Sequence, residues 1–212
     1  MNIKKFTFNP FQENTYIVWD NTKECIIVDP GCYSQDERKE LINFIVDNNL
    51  RPTKLINTHC HIDHILGNRF ISDHFNIDLH AHKDELRLLN MSKETARTYG
   101  LIDYQESPEP KYFINEGEII SCGEIIFKIL FTPGHSPGHI CLLNTKEKSI
   151  ISGDVIFKGS IGRTDLPGGD FNILMRSIQD KILNLDDETT IYSGHGTNTT
   201  IGNEKASNPF LR

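Results

Sequence analysis

The sequence predicts a mixed α/β fold in which sheets pack together with helices on the outside. Short strand-like runs cluster in both halves of the chain, amphipathic stretches interrupt them, and no low-complexity linker separates the halves. Residues 1–212 are therefore expected to form a single domain, a length that can bury a substantial core.

The elements follow in order. Ile3 to Phe8 alternates, Thr15 to Trp19 is β-branched and aromatic, and Cys25 to Val28 is a short apolar run. Asn9-Pro10 and Asn21-Thr22 supply the turns between these strands, and Asp29-Pro30-Gly31 stops the third. Leu41, Ile42, Ile45 and Val46 fall at helical spacing, which predicts an amphipathic helix over 35–48. A strand at 53–57 leads into a histidine-rich motif. A short helix near 64–73, a strand near 77–80 and a helix near 82–90 come next. The polar stretch 91–113, with Pro108 and Pro110, reads as a connector. In the second half, 118–121 and 124–131 form a hairpin around Cys122-Gly123, with strands at 139–143, 149–152 and 189–192 and a helix over 171–183.

Composition narrows the function classes. Apolar residues make up 37% and charged residues 24%, as in an ordinary soluble enzyme, and the formal net charge is −7. Such a surface repels phosphate backbones and anionic membranes, so neither a nucleic-acid nor a membrane partner is expected. The five cysteines are scattered, odd in number and form no C-x-x-C pair, as in a reduced cytoplasmic protein. No apolar run approaches membrane-spanning length, and the N-terminus shows no signal-peptide core.

The chemistry resides in Thr58-His59-Cys60-His61-Ile62-Asp63-His64. In extended backbone His59, His61 and Asp63 project to one side, whereas His64 falls where the chain turns into a helix and aims elsewhere. Nitrogen and oxygen donors packed this densely suit a borderline divalent cation such as zinc. Three further donors stand in similar surroundings: His135 after Gly134, Asp154 after Gly153 and His195 after Gly194. Each follows an apolar strand and a glycine, which lets the backbone turn sharply and come close to a metal.

This order of H-x-H-x-D-H, Gly-His, Gly-Asp and Gly-His-Gly resembles the metallo-β-lactamase superfamily. Ile27-Val28-Asp29-Pro30-Gly31 matches its early I-D-x-G element, whose Asp supports the motif loop. The resemblance implies a four-layer αββα sandwich and two divalent metal ions, zinc first, with iron or manganese as alternatives. It would place His59, His61 and His135 on one metal, Asp63, His64 and His195 on the other, and Asp154 between them. His139 is a non-ligand in that pattern, and His74, His80 and His82 match nothing in it.

Within the superfamily the chain is similar to glyoxalase II-like (hydroxyacylglutathione hydrolase-like) enzymes of a compact bacterial subgroup. The similarity rests on Gly153-Asp154-Val155-Ile156-Phe157 and on Gly162-Arg163-Thr164-Asp165-Leu166-Pro167-Gly168-Gly169. It implies hydrolysis of a small-molecule acyl-thiol, with Asp63 and Asp154 as catalytic carboxylates. Arg163, Lys158 and Phe11 are the substrate-binding candidates. Thr197 departs from the Tyr that glutathione-specific members carry after their final His. Sulfur dioxygenases of the same superfamily share Gly-Arg-Thr-Asp and give the rival reading, a mononuclear iron persulfide dioxygenase. A lactonase or β-lactamase-like hydrolase is the second.

Overall fold

The computed structural model describes residues 1–211, which divide into two compact units. The first comprises Met1–Phe113 with Ser121–Ile125, and the second Ile114–Ile120 with the chain from Ile126 onward.

The first unit is built on one six-stranded sheet in the order β1-β2-β3-β4-β5-β6. β1 (Asn2–Phe8), β2 (Glu13–Trp19) and β3 (Glu24–Val28) form an antiparallel meander. β4 (Arg51–Ile56), β5 (Leu79–Ala81) and β6 (Tyr112–Phe113) then add in parallel to β3 and to one another. The crossover from β3 to β4 is α1 (Gln35–Asp47), opened by a capping box in which Ser34 and Glu37 satisfy each other's backbone N–H. α1 buries Leu41 and Ile45, one turn apart, against Phe6, Ile17, Ile27 and Leu79. Full burial of such side chains contributes about 1.5–3 kcal/mol each.

Two expected helices differ from their sequence outlines. The stretch near 64–73 is two helices, α2 (Ile62–Ile65) and α3 (Asn68–Phe75), parted at Gly67. Gly67 N donates to Pro30 O at 2.7 Å, and a Cβ there would lie 2.5 Å from Cys32 Sγ. Close approach to the segment after β3, rather than helical periodicity, sets the break. The helix near 82–90 begins as a 3-10 turn (Lys83–Glu85) and continues as α4 (Leu86–Thr98), so 91–98 is helix rather than connector. The sequence there is polar because only Ser92 and Ala96 continue the buried face set by Leu88 and Leu89.

A second six-stranded sheet, all but the β7–β8 turn of which falls in the second unit, is ordered β14-β13-β10-β9-β8-β7. Its strands are β7 (Ile119–Cys122), β8 (Ile125–Phe131), β9 (Ile140–Asn144), β10 (Ser149–Gly153), β13 (Thr190–Ser193) and β14 (Thr199–Thr200). β10 runs parallel to β13, while β8 and β10 are both antiparallel to β9 between them. β8, β10 and β13 therefore point the same way and end at one edge of the sheet. A small ribbon, β11 (Ile156–Phe157) with β12 (Ser160–Ile161), is too short to leave a pattern in the sequence. The helix expected over 171–183 is α5 (Phe171–Ser177) followed by a wider π turn (Ile178–Ile182), and it buries Leu174, Ile178 and Ile182 against Ile150 and Ile191. α6 (Ile201–Ser207) was not anticipated: its face offers Ile201 and Glu204 to the interior, which gives almost no apolar periodicity. Among the described residues no helix is long and apolar enough to cross a membrane.

Gly67→Ala is expected to cost about 1–3 kcal/mol, because the added methyl must displace Cys32 or Pro30. Urea unfolding read by circular dichroism measures this; an unchanged midpoint would show that the segment after β3 yields without strain.

Candidate metal centre

In the first unit, β3 and β4 are parallel neighbours, so Asp29 and the Asn57–His61 loop emerge from the same end of the sheet. Ligand sites of open α/β sheets form at such strand ends. Asp29 has positive φ (49°), which turns its carboxylate back beneath the loop. Asp29 Oδ1 accepts from Thr58 N at 2.7 Å, and Oδ2 accepts from Thr58 Oγ1 at 2.6 Å. With its proton committed to Asp29, the Thr58 hydroxyl accepts from His59 Nδ1 at 3.1 Å. That fixes the His59 tautomer and leaves Nε2 as the lone-pair nitrogen.

His61 is the N-cap of α2, with extended backbone, and Asp63 and His64 both lie inside the helix. The expected extended run through Asp63 therefore stops at His61, where His64 N donates to His61 O at 3.1 Å and closes the first helical turn. His64 is fully buried; its Nδ1 lies 3.1 Å from Asp29 Oδ2, and its Nε2 lies 3.7 Å from Asp63 Oδ2. The His59 ring sits 4.8 Å from that of His61 and 4.1 Å from that of His64. Ligand-type atoms of Asp29, His59 and His64 all fall within 4.8 Å of one another.

Three supports of this half escape sequence reasoning. Glu13 is completely buried, accepts from Thr15 Oγ1 at 2.9 Å and lies 3.9 Å from His64 Nδ1. Burial pushes its carboxyl well above the ordinary glutamate range, an effect partly offset by His64. Glu85, also buried, accepts from Cys60 N at 2.6 Å and so anchors the loop between His59 and His61. Asn9 donates through Nδ2 to Asp63 O and Gly31 O, each at 3.0 Å, and accepts from Phe11 N through Oδ1. Of these three only Asn9 leaves a trace in the sequence, as part of the Asn9-Pro10 turn; Glu13 and Glu85 carry no local signal.

Cys60 is the one cysteine inside the motif. Its side chain packs among Leu66, Leu88, Leu89 and Leu101, and burial raises its thiol well above the usual range, so it serves the core. All five cysteines are buried, and none is in a disulfide.

The second unit gathers His135, Asp154 and His195 at the common end of β8, β10 and β13. Asp154 Oδ2 lies 3.5 Å from His135 Nε2 and equally 3.5 Å from His195 Nε2. His135 Nδ1 donates to Arg163 O at 2.7 Å, which turns Nε2 toward Asp154 with its lone pair available. His139 is buried and accepts from Asp154 N at 3.0 Å through Nε2. Gly134 has φ 129° and abuts α5, where a Cβ would lie 2.2 Å from Leu174 N. Gly162 is equally constrained: a Cβ would lie 1.9 Å from Asp154 O.

Of the substrate-binding candidates, Phe11 packs against Tyr99 edge to face, with ring centroids 5.3 Å apart. Lys158 is exposed at the tip of the β11–β12 ribbon. Arg163 makes a two-point pair with Asp165, Nε to Oδ1 and Nη2 to Oδ2, both at 2.7 Å. Of the remaining histidines, His80 stacks on Tyr112 and His82 caps the 3-10 turn by accepting from Asp84 N.

Imidazole and carboxylate donors at the strand ends of each unit form donor sets suited to divalent cations, and the outer nitrogens of His59 and His135 are already oriented by Thr58 and Arg163. Glu85→Ala leaves the buried Cys60 N–H without its acceptor and should cost about 1–3 kcal/mol. It should also weaken cation binding about 10–100-fold. Competition with a chromophoric chelator measures the latter; wild-type affinity in the variant would show that the loop holds itself.

The profile of the Metallo-beta-lactamase superfamily matches residues 8–195. Hydroxyacylglutathione hydrolase GloC of Haemophilus influenzae is 39% identical over 212 residues, covering 100% of this chain and 98% of that protein. Among solved structures, BLEG-1 B3 metallo-beta-lactamase superposes with a TM-score of 0.90 at 36% identity, covering 99% of both chains. TTHA1623 in a di-iron-bound form gives 0.88 at 34% identity, covering 98% of this chain and 100% of that one. The chain thus belongs to the metallo-beta-lactamase superfamily, shares its mixed α/β fold, and is a metal-dependent hydrolase of that superfamily.

Proposed function

We propose that the protein is a glyoxalase II-like thioesterase that cleaves a small-molecule acyl-thiol, such as a hydroxyacylglutathione, with both units acting together as one catalytic domain. His59, His61 and His135 would hold one divalent cation. Asp63, His64 and His195 would hold a second, and Asp154 would bridge them. The observation that carries the dinuclear reading is Asp154 Oδ2, equidistant at 3.5 Å from two imidazole nitrogens that belong to different ligand sets. Likeness along the full chain to a hydroxyacylglutathione hydrolase supports the thioester substrate.

Bound cations would supply an acidified water and a positive charge opposite the developing oxyanion. The protein's own groups do the rest. Asp63 accepts a hydrogen bond from the attacking water and orients it. Asp154 keeps the Nε2 atoms of His135 and His195 facing one carboxylate oxygen. Phe11 offers an apolar contact to the substrate, while Arg163 and Lys158 attract an anionic carrier. A thiol with pKa near ~8.5 leaves as thiolate without a protein acid, which accounts for a cluster containing no isolated general acid.

Zinc suits the donor set best, with iron or manganese as alternatives; a relative captured in a di-iron form favours keeping iron in view. Likeness to a B3 metallo-beta-lactamase supports a lactam or lactone substrate as the second reading. The buried, disulfide-free cysteines and the −7 net charge support a reduced cytoplasmic setting without a nucleic-acid or membrane partner.

A metal-quantified preparation should contain close to two cations per chain, hydrolyse S-lactoylglutathione, and show neither nitrocefin turnover nor persulfide-dependent oxygen uptake. One iron per chain with oxygen uptake would sink the thioesterase reading, and nitrocefin turnover alone would replace it with the lactamase one. His59→Ala should abolish thioester turnover and lower the metal content; retained activity would break the ligand assignment.

A further inference from the structure

The loop from Gly162 to Asp170 is fastened at both ends to ligand-bearing segments of the second unit. Gly162 N donates to Val155 O, and the residue packs directly on the backbone of Asp154. Asp170 N donates to Gly134 O at 2.8 Å, beside His135. Between these ties, the carbonyl of Arg163 accepts from His135 Nδ1. The position of Arg163 relative to the ligands of its own unit is therefore fixed by main-chain bonds. Its side chain is spoken for differently: Asp165 fills the Nε–Nη2 edge of the guanidinium with both carboxylate oxygens. That edge is the one a planar carboxylate ligand matches best.

We infer that Asp165 is a specificity-determining residue, an internal carboxylate that occupies Arg163 and that an anionic substrate must displace or share. The inference takes its substrate from the thioesterase reading. Two features make the competition effective. The pair is self-neutralising, so Arg163 offers little net charge to an incoming anion while Asp165 is in place. It is also exposed, with side-chain accessibilities of 59% and 66%, so water screens it and displacement is reversible. Arg163 holds the Asp165 carboxyl down to about 2, so the competitor stays ionised throughout the working range. Asp165 thus sets a threshold: neutral acyl-thiols pass unaffected, and carboxylate-bearing ones bind more weakly than a lone arginine would allow.

The test is calorimetric, on the metal-loaded protein, with two non-hydrolysable thioethers that differ only in a carboxylate or a primary amide on the carrier end. Asp165→Asn should tighten the carboxylate analogue about two- to five-fold, the range expected for removing an exposed pairing partner. The amide analogue should move less than the carboxylate one, and higher salt should shrink the difference. Arg163→Ala should erase the gain when combined with Asp165→Asn. Equal shifts for both analogues, no tightening of the carboxylate analogue, no measurable binding of it to Asp165→Asn, or a gain that survives Arg163→Ala would each overturn the inference. Thioester turnover by the same wild-type preparation is read separately. Its absence would defeat the thioesterase reading while the binding comparison still decides the role of Asp165.

Discussion

The carboxylate of Asp29 is the contact on which the donor cluster of the first unit depends. It closes β3, reaches under the loop that follows β4, and takes two hydrogen bonds from Thr58 while facing His64 Nδ1 at 3.1 Å. A buried carboxylate is costly unless several donors satisfy it. Here the donors are parts of the loop whose shape must be kept. The same contacts that solvate Asp29 therefore impose the backbone of the motif, the tautomer of His59 and the direction of His64. Parallel pairing of β3 with β4 is what brings the acceptor and its donors to one sheet edge.

The donor cluster of the second unit uses main-chain groups where that of the first uses side chains. His135 is oriented by the Arg163 carbonyl, Asp154 by its own N–H donating to His139, and the 162–170 loop is tied to both neighbourhoods. Glycine makes this possible at Gly134 and Gly162, where a Cβ would collide with α5 or with the Asp154 carbonyl. Backbone acceptors cannot be lost by substitution, so the orientation of His135 depends on loop shape rather than on the identity of residue 163. That leaves the side chain of residue 163 to pair with Asp165.

Burial explains which residues reasoning from the sequence overlooked. Glu13 and Glu85 are acidic residues that are almost completely buried, against the usual preference of carboxylates for the surface. Each makes sense only beside its partner: Glu13 with Thr15 and His64, and Glu85 with the Cys60 N–H. Separations of 51 residues between Glu13 and His64, and 25 between Cys60 and Glu85, leave no local trace of either contact.

By itself the sequence determined the donor chemistry and the fold class. Four imidazole and carboxylate donors in one segment after a strand, three more each after a strand and a glycine, and strands alternating with amphipathic helices are periodic or local features that survive without coordinates. It also placed β1 to β4, α1 and the strands β7 to β10 and β13 to within a few residues, but not β14. Tertiary structure alone decided where α2 breaks from α3, because that boundary is a steric contact between Gly67 and Pro30. It also decided that Asp63 and His64 share a helix, which nitrogen of His59 and His135 carries its proton, and that Arg163 already has a carboxylate in its fork. Each of these turns on a hydrogen bond or a contact distance between groups that the chain must fold to bring together.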